Sequence, residues 1–212
     1  MKNRPHDTIE TLGDLEAGSR YLAEIEPRFD FALKLTGALP HRRRKDGFEA
    51  LLDMIVSQQV SVAAGDAIWA RILNAGLNNQ QRVCGATDEE FRQCGLSRQK
   101  IRYARALAES DIDYDSLRGL PDSEVVALLT KVTGIGRWTA EIYAMFALGR
   151  RDVFAAGDLA LQESARLLFG LTDRPSESEL RTLAEPWSPW RAVAARLLWA
   201  YYRIEKKKEG IR

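Results

Sequence analysis

The sequence is poor in cysteine and histidine, and this shortage argues against a metal centre. The only cysteines are Cys84 and Cys94, and the only histidines are His6 and His41. None of them has the short spacing of a zinc or iron–sulfur ligand set. We therefore expect no catalytic metal and no cofactor. Two cysteines without a disulfide framework are typical of a reducing compartment, which predicts a cytoplasmic protein.

Long apolar runs and an excess of one charge are also missing. No run approaches the roughly 20 apolar residues needed to span a bilayer, and residues 1–19 lack the apolar core of a signal peptide. We therefore expect no membrane partner. With 31 basic and 30 acidic residues, the formal net charge is +1. Any nucleic-acid partner must therefore be bound by a local basic patch.

What the chain does contain is apolar sequence at helical spacing. Apolar residues make up 45% of 212 positions, which is enough for a sizeable core. Their spacing predicts an all-α fold. Helix starts are predicted at two capping boxes, Thr87 with Glu90 and Ser176 with Glu179. Another is predicted at Pro121–Glu124.

The segment 125–146 contains two apolar stretches around Thr133-Gly134-Ile135-Gly136. Glycine permits backbone conformations with positive φ and leaves room for close approach, while Ile135 can fill the core beneath the turn. The turn leads into a helix start at Arg137–Thr139, whose N–H groups and positive dipole end suit a phosphate, and Arg137 adds charge. The pattern predicts a hairpin that binds a phosphate backbone. The alternative is a tight helix–helix corner that binds nothing.

Asp158 ends a loop directly before a predicted helix that begins at Leu159. An Asp at a helix start serves as an N-cap, and the helix dipole favours its anion. A fixed carboxylate can stabilise an oxocarbenium-like sugar and help water to attack its C1′ atom. The alternative is an N-cap without chemistry. Asp152, which precedes the apolar Val153 and Phe154, is expected to face solvent instead.

Four segments together carry a family resemblance: FEALLDMIVSQQVS, GLSRQKIRYARALA, GIGRWTAEIYAMFALGRRDVFAAGDLAL and PWSPWRAVAARLLWAYY. From about Phe48 to Tyr202 the chain resembles the helix–hairpin–helix DNA glycosylase superfamily. Within it the chain is similar to the 3-methyladenine DNA glycosylase II, or AlkA-like, branch without the N-terminal β-rich domain. One departure is the loop 155–157, Ala-Ala-Gly, which lacks the proline that many relatives carry.

The resemblance implies an all-α fold of two helical lobes around a cleft, with the hairpin and Asp158 at its mouth. We expect residues 1–20 to form an irregular N-terminal arm and residues 21–212 to form the glycosylase unit of two interleaved lobes. The implied partner is double-stranded DNA containing damaged bases, bound by a monomer. The family also implies a monovalent cation at the hairpin carbonyls of Thr133 and Ile135.

The resemblance further implies a monofunctional enzyme that acts on alkylated purines. Relatives that also cleave the strand carry a lysine in the second hairpin helix, whose amine attacks C1′. Trp138 occupies that position here, and Lys131 lies at no motif position. Alkylated purines such as 3-methyladenine and 7-methylguanine are cationic and leave easily, so an electron-rich pocket suits them. The predicted pocket walls are Trp138, Tyr143, Phe48 and Trp190, with core packing as the alternative for each. Trp69 and Trp199 are expected to be core residues.

A base must leave the duplex before it can be excised. The break at 57–61, Ser-Gln-Gln-Val-Ser, resembles the wedge loop of the family, with Gln59 as the inserted side chain and Gln58 beside it. The alternative is a polar turn. The hairpin residues predicted to contact DNA are Thr133, Gly134, Ile135, Gly136, Arg137 and Thr139. Phosphate contacts are predicted at Arg98, Lys100 and Arg102 and in the run His41 to Lys45, although such charges also occur on solvated faces.

Three other functions stay open at this point. The chain could bind damaged DNA without cutting it, which the position of Asp158 argues against. It could be a glycosylase of the same fold for deaminated or other damaged bases. It could also be a helical adaptor without a DNA partner.

Overall fold

The computed structural model describes residues 8–209, so the first seven residues of the predicted arm lie outside the described part. Within residues 8–209 there are twelve α-helices, two short 3-10 helices and one isolated β-bridge, which joins Thr8 and Arg150. This content confirms the predicted all-α class. None of the helices in the described range is long and apolar enough to cross a membrane.

The α-helices are, in chain order, α1 (Leu12–Ile25), α2 (Pro27–Thr36), α3 (Phe48–Val56), α4 (Val62–Asn74), α5 (Gln80–Gly85), α6 (Asp88–Gln93), α7 (Arg98–Ala108), α8 (Asp122–Leu129), α9 (Arg137–Phe146), α10 (Leu159–Phe169), α11 (Glu177–Leu183) and α12 (Arg191–Glu209). The 3-10 helices are Ser116–Gly119 and Glu185–Trp187.

The described chain divides into two compact units. Unit 1 is Arg44–Tyr143, and unit 2 consists of residues 8–43 and 144–209. Helix α9 therefore begins in unit 1 and ends in unit 2. The described chain thus begins in unit 2, forms unit 1 and then returns to unit 2.

The three predicted helix starts are confirmed, two of them by side-chain capping hydrogen bonds. Thr87 and Glu90 form a reciprocal capping box at α6, and Ser176 and Glu179 form another at α11. Helix α8 begins directly after Pro121. These short-range pairs satisfy N–H groups that would otherwise lack partners at a helix start.

The segment predicted to be an irregular arm is helical from Leu12 onward, so that prediction was wrong there. Thr11 accepts a hydrogen bond from the backbone N–H of Asp14 at 3.2 Å, and the Asp14 carboxylate accepts one from the Thr11 N–H at 2.8 Å. Leu15 and Leu22 are buried on one face of the helix. A mostly polar segment therefore hides a narrow apolar stripe, which packs α1 against α2 and α12.

Unit 1 is built around α3 and α7. Helix α7 packs against α3, α5 and α6, and α3 also packs against α4. Leu51, Leu52 and Ile55 of α3 and Leu107 of α7 are completely buried. Each such side chain contributes roughly 1.5–3 kcal/mol when it leaves water. This core packs one face of α3, and the loop 57–61, the predicted wedge loop, follows the end of this helix.

Unit 2 is built around the long helix α12. It packs against α1, α2 and α10, and α10 also contacts α11. Gly18 allows α1 to approach α12 closely, because a Cβ atom at this position would lie 2.7 Å from both the Trp190 ring and Val193. The Trp190 ring is therefore packed against α1 on one side.

Candidate DNA-binding groove and catalytic carboxylate

The hairpin between α8 and α9 depends on one glycine more than on the other. Gly134 has φ +97°, and a Cβ atom there would lie 2.2 Å from Cγ of Tyr103. Gly136 is not among the residues with positive φ, and a Cβ atom there would meet nothing within 4 Å. Of the two glycines, only Gly134 therefore adopts the positive φ that glycine permits. Ile135 is buried, as predicted.

A groove of about 710 Å³ in unit 1 brings together most of the residues predicted to contact DNA. It is lined by the wedge loop, the first turns of α7 and the hairpin. The predicted DNA-binding residues that line it are Gln58, Gln59, Lys100, Thr133, Gly134, Ile135, Gly136 and Thr139. Two separately predicted segments, the wedge loop and the hairpin, thus form one surface.

The two glutamines of the wedge loop have different environments. The Gln58 side-chain amide donates to the Gly134 carbonyl at 3.0 Å and to the Thr139 hydroxyl at 3.3 Å. Gln59 is exposed and has φ +55°, which is rare for a residue with a side chain. Gln58 therefore braces the hairpin, and Gln59 forms the tip of the loop. Thr139 is buried, and its hydroxyl accepts the hydrogen bond from Gln58.

The basic residues predicted to contact DNA near the hairpin have three different environments. The Lys100 ammonium donates to the Val56 carbonyl at the end of α3 at 2.6 Å, and burial lowers its pKa. Arg98 lines an adjoining hollow of about 400 Å³ that also includes Arg102 and Thr133. Arg137 is exposed and donates to Glu141 at 3.0 Å.

The predicted pocket walls in unit 1 do not share one cavity. Trp138 is 42% exposed and lines the hairpin groove. Phe48 lines a separate cavity of about 510 Å³, together with Trp69 and Asn78. Tyr143 is fully buried, and its hydroxyl accepts a hydrogen bond from the Gly47 N–H at 2.9 Å. A ring without exposed surface cannot stack on a base, so Tyr143 does not form a pocket wall in this structure.

Tyr143 instead supports the start of α3. Burial raises the pKa of its phenol to about 12, so the hydroxyl stays neutral at physiological pH. It holds the backbone at Gly47, the N-cap of α3, whose φ is +117°. Asp53, whose carboxylate pairs with Arg44, lines the cavity that also contains Phe48. Burial raises the pKa of Asp53 even so.

Asp158 lies in unit 2 as the N-cap of α10, as predicted. Its Oδ1 atom accepts hydrogen bonds from the N–H groups of Ala160 at 2.9 Å and Leu161 at 3.0 Å. A third donor, the indole Nε1–H of Trp199, lies 3.1 Å away. The preceding loop is held by Gln162, whose amide donates to the Ala156 carbonyl at 2.9 Å. One carboxylate oxygen is thus fixed by donors from two helices.

Trp199 is a residue whose role sequence reasoning missed. It was expected to be part of the core, but its indole contacts the predicted catalytic carboxylate and is only partly buried. The two residues are 41 positions apart, so no local spacing relates them. Trp190, the second tryptophan predicted for the pocket, lies with its ring centroid 5.1 Å from the Arg151 guanidinium carbon.

Asp152, the alternative carboxylate, was predicted to face solvent, but its carboxylate is held by two side chains. Both of its oxygens accept from the Arg191 guanidinium at 2.8 Å, and Oδ2 also accepts from the Ser188 hydroxyl at 2.8 Å. A bidentate arginine pair of this kind is strong and geometrically specific. Its carboxylate anchors the start of α12, which leaves Asp158 as the better candidate for chemistry.

Comparison with known proteins agrees with these features. The model of the HhH-GPD superfamily of base excision DNA repair proteins matches residues 52–189. The alkylbase DNA glycosidase-like protein mag2 of Schizosaccharomyces pombe is 27% identical over 207 residues, which cover 92% of this chain and 97% of that protein.

Two solved structures are similar along most of their length. The DNA-3-methyladenine glycosidase of Bacillus halodurans superposes with a TM-score of 0.80 at 30% identity, covering 90% of this chain and 91% of the other. The 3-methyladenine DNA glycosylase Mag1 of Schizosaccharomyces pombe, in complex with abasic DNA, gives a TM-score of 0.75 at 29% identity. There the match covers 86% of this chain and 95% of Mag1.

Proposed function

Because the chain belongs to the HhH-GPD superfamily of base excision DNA repair proteins, we propose that it is a monofunctional DNA glycosylase that excises alkylated purines. Its substrates would be bases such as 3-methyladenine and 7-methylguanine in double-stranded DNA. The observation that carries this proposal is the Asp158 carboxylate, held by three donors at the motif position of the family. Abasic DNA, present in the Mag1 complex, is the product that this reaction would leave.

The proposed reaction is hydrolysis of the N-glycosidic bond. The bond between C1′ and the base nitrogen breaks, and its electron pair leaves with the base. The sugar becomes oxocarbenium-like, and the negative charge of Asp158 stabilises it. Water then adds its oxygen to C1′ and gives up a proton to the surrounding solvent, leaving free base and an abasic site. A carboxylate already fixed by its donors needs little reorganisation as this charge develops.

The groove of unit 1 supplies the proposed DNA contacts. The first turn of α9 presents a helix N-terminus, which suits a phosphate, and the open space above Gly136 lets a backbone approach closely. A monovalent cation at the Thr133 and Ile135 carbonyls is part of the proposal. Both residues line the groove.

Trp138 supports both the proposed substrate class and the absence of strand cleavage. Its exposed ring offers an electron-rich face to a cationic base, an attraction worth roughly 0.5–2 kcal/mol. An indole has no amine that could attack C1′ and form a Schiff base. We therefore expect base release without a strand break.

We also propose that the protein acts in the cytoplasm as a monomer. Cys84 and Cys94 are both free thiols, as is usual in a reducing compartment.

Base release from methylated DNA tests the proposal directly. The protein is incubated with DNA carrying labelled methyl groups, and the freed bases are separated by chromatography. We expect free 3-methyladenine or 7-methylguanine. Binding of abasic-site DNA without any release would instead favour a non-catalytic damage-binding protein. Release of hypoxanthine from deaminated DNA, but of no methylated base, would change the substrate class.

Gln59→Ala tests the wedge assignment. We expect base release from duplex DNA to slow about 10-fold. The loss of one hydrogen-bonding side chain destabilises the flipped state by about 1.4 kcal/mol. Release from single-stranded DNA should not change, since no partner base has to be replaced there. The rates are measured in single turnover on matched duplex and single-stranded substrates.

Gln93→Ala is the matched control, because Gln93 is an exposed glutamine at the end of α6. It should leave both rates and the melting temperature unchanged. Gln58→Ala should lower the stability by about 1 kcal/mol through its lost hydrogen bonds. Equal slowing of both substrates by Gln59→Ala would contradict the wedge role.

A further inference from the structure

Arg196 on α12 is a buried cation that the proposed mechanism leaves unused. It is only 6% exposed, and no carboxylate among the described side chains, residues 8–207, forms an ion pair with it. Its guanidinium donates to the Ala192 carbonyl at 2.8 Å and to the Met145 carbonyl at 3.1 Å. Burial and the nearby charges of Arg43 and Arg42 lower its pKa to about 10. Burying a charge without a counter-ion is unfavourable.

The buried guanidinium leads through two aromatic rings to Asp158. It lies over the Phe146 ring, 4.5 Å from the centroid. The Phe146 and Trp199 rings are packed with their centroids 5.8 Å apart and their planes 33° apart. The Trp199 indole then donates to Oδ1 of Asp158 at 3.1 Å. Arg196 and Trp199 lie three positions apart on α12, so they share one face of the helix.

We propose that Arg196 and Phe146 are positioning residues, which hold Trp199 in the orientation where its N–H reaches Asp158. The inference rests on the proposed function. The cation attracts the electron-rich face of Phe146 and fixes that ring. Phe146 in turn limits the tilt of the indole, whose single N–H donor must point at one oxygen. Both guanidinium hydrogen bonds go to backbone carbonyls, which fix the cation itself.

A purely structural role would predict a different outcome. In that case Arg196 would only join the ends of α9 and α12 through the Met145 and Ala192 carbonyls. Replacing a buried ion with an apolar side chain of similar volume is often neutral or stabilising. Arg196→Met would then change the stability alone, in either direction, and leave the reaction and the indole unaffected.

The test compares Arg196→Met, Phe146→Leu and Trp199→Phe, alone and combined. Trp199→Phe keeps a ring and removes the donor, and we expect it to slow single-turnover excision about 10-fold or more, the equivalent of a hydrogen bond to a charged group. Arg196→Met and Phe146→Leu should each slow it several-fold. Affinity for abasic-site DNA should stay within twofold of wild type. Arg203→Met, an exposed arginine on the same helix, is the control.

Two measurements separate positioning from general damage. The double variant Arg196→Met with Trp199→Phe should be no slower than Trp199→Phe alone, because residues that act through one contact are not additive. The indole N–H of Trp199, whose resonance is assigned by its loss in Trp199→Phe, should exchange with solvent faster in Arg196→Met and in Phe146→Leu, because its hydrogen bond to Asp158 is weakened. Its exchange rate should not change in Arg203→Met.

The inference is overturned by additive losses in the double variant, or by an unchanged exchange rate of the Trp199 N–H in both single variants. If Arg196→Met does not fold, the exchange rate in Phe146→Leu decides alone. If the wild type releases no base at all, the proposed function fails. The exchange rate then still shows whether Arg196 and Phe146 position the indole.

Discussion

The Asp158→Asn variant is expected to lose base release by at least about 100-fold, which is at the lower end of what one catalytic group contributes. The fold should survive, because Asn is as good an N-cap as Asp. Its amide oxygen can still accept from Ala160, Leu161 and Trp199. What disappears is the negative charge that would stabilise the developing sugar cation. Binding of abasic-site DNA should stay within a fewfold of wild type.

Single-turnover release from methylated DNA, with abasic-site binding in parallel, measures this effect. Asp152→Asn is the matched control, since it removes a carboxylate charge from the same unit. That variant weakens the bidentate pair with Arg191, so we expect a lower melting temperature with excision retained in the folded fraction. Full activity in Asp158→Asn would refute the catalytic role of Asp158. If only folded Asp152→Asn lost base release, Asp152 would be the catalytic carboxylate.

The parts of the site that sequence reasoning predicted correctly depend on short-range signals. Asp158 caps the helix that begins one residue later, and the capping boxes at α6 and α11 join residues three positions apart. Ile135 is buried between its two glycines. In each case the physical partner lies within the same few residues, so a single sequence contains the whole interaction.

The parts that it missed depend on long-range packing. Trp199 reaches Asp158 across 41 positions, and Arg191 reaches Asp152 across 39. Nothing in the local pattern around Trp199 separates an indole that donates to a carboxylate from one that fills a core. Tyr143 shows the reverse case, because a ring at a motif position is fully buried. Aromatic residues are favourable in both settings, so their type alone does not decide.

Backbone conformation is a third kind of information that residue type leaves open. Gly134 and Gly136 look equivalent in the sequence, yet only Gly134 has positive φ and lies against Tyr103. Gln58 and Gln59 are adjacent and identical, yet one braces the hairpin and the other forms the tip of the loop. Both distinctions arise where α3, α7 and the hairpin meet, and each yields a pair of variants with opposite expectations.

Gly134→Ala is the second large expected effect. The new methyl group would lie 2.2 Å from Cγ of Tyr103, and the backbone has φ +97°. Left-handed strain of about 1–2 kcal/mol adds to an overpacking penalty of about 1–3 kcal/mol. At about 2–4 °C per kcal/mol, the melting temperature should fall by about 5–15 °C. We expect DNA affinity to fall more than tenfold, since the hairpin cannot keep its shape.

Two other glycines separate hairpin shape from hairpin contact. Gly136→Ala meets no protein atom within 4 Å, so its melting temperature should match wild type. Its methyl group would occupy the space through which a phosphate approaches, so affinity for abasic-site DNA should still fall severalfold. Gly119→Ala, with equally open surroundings in a short 3-10 helix that does not line the groove, should change neither quantity. Thermal unfolding and binding titrations of all three variants at one salt concentration provide the comparison.

Wild-type affinity in Gly136→Ala would mean that DNA does not approach this turn, even if Gly134→Ala unfolds as expected. A stable, tightly binding Gly134→Ala would show that the Tyr103 ring can yield, and that the hairpin does not depend on this glycine.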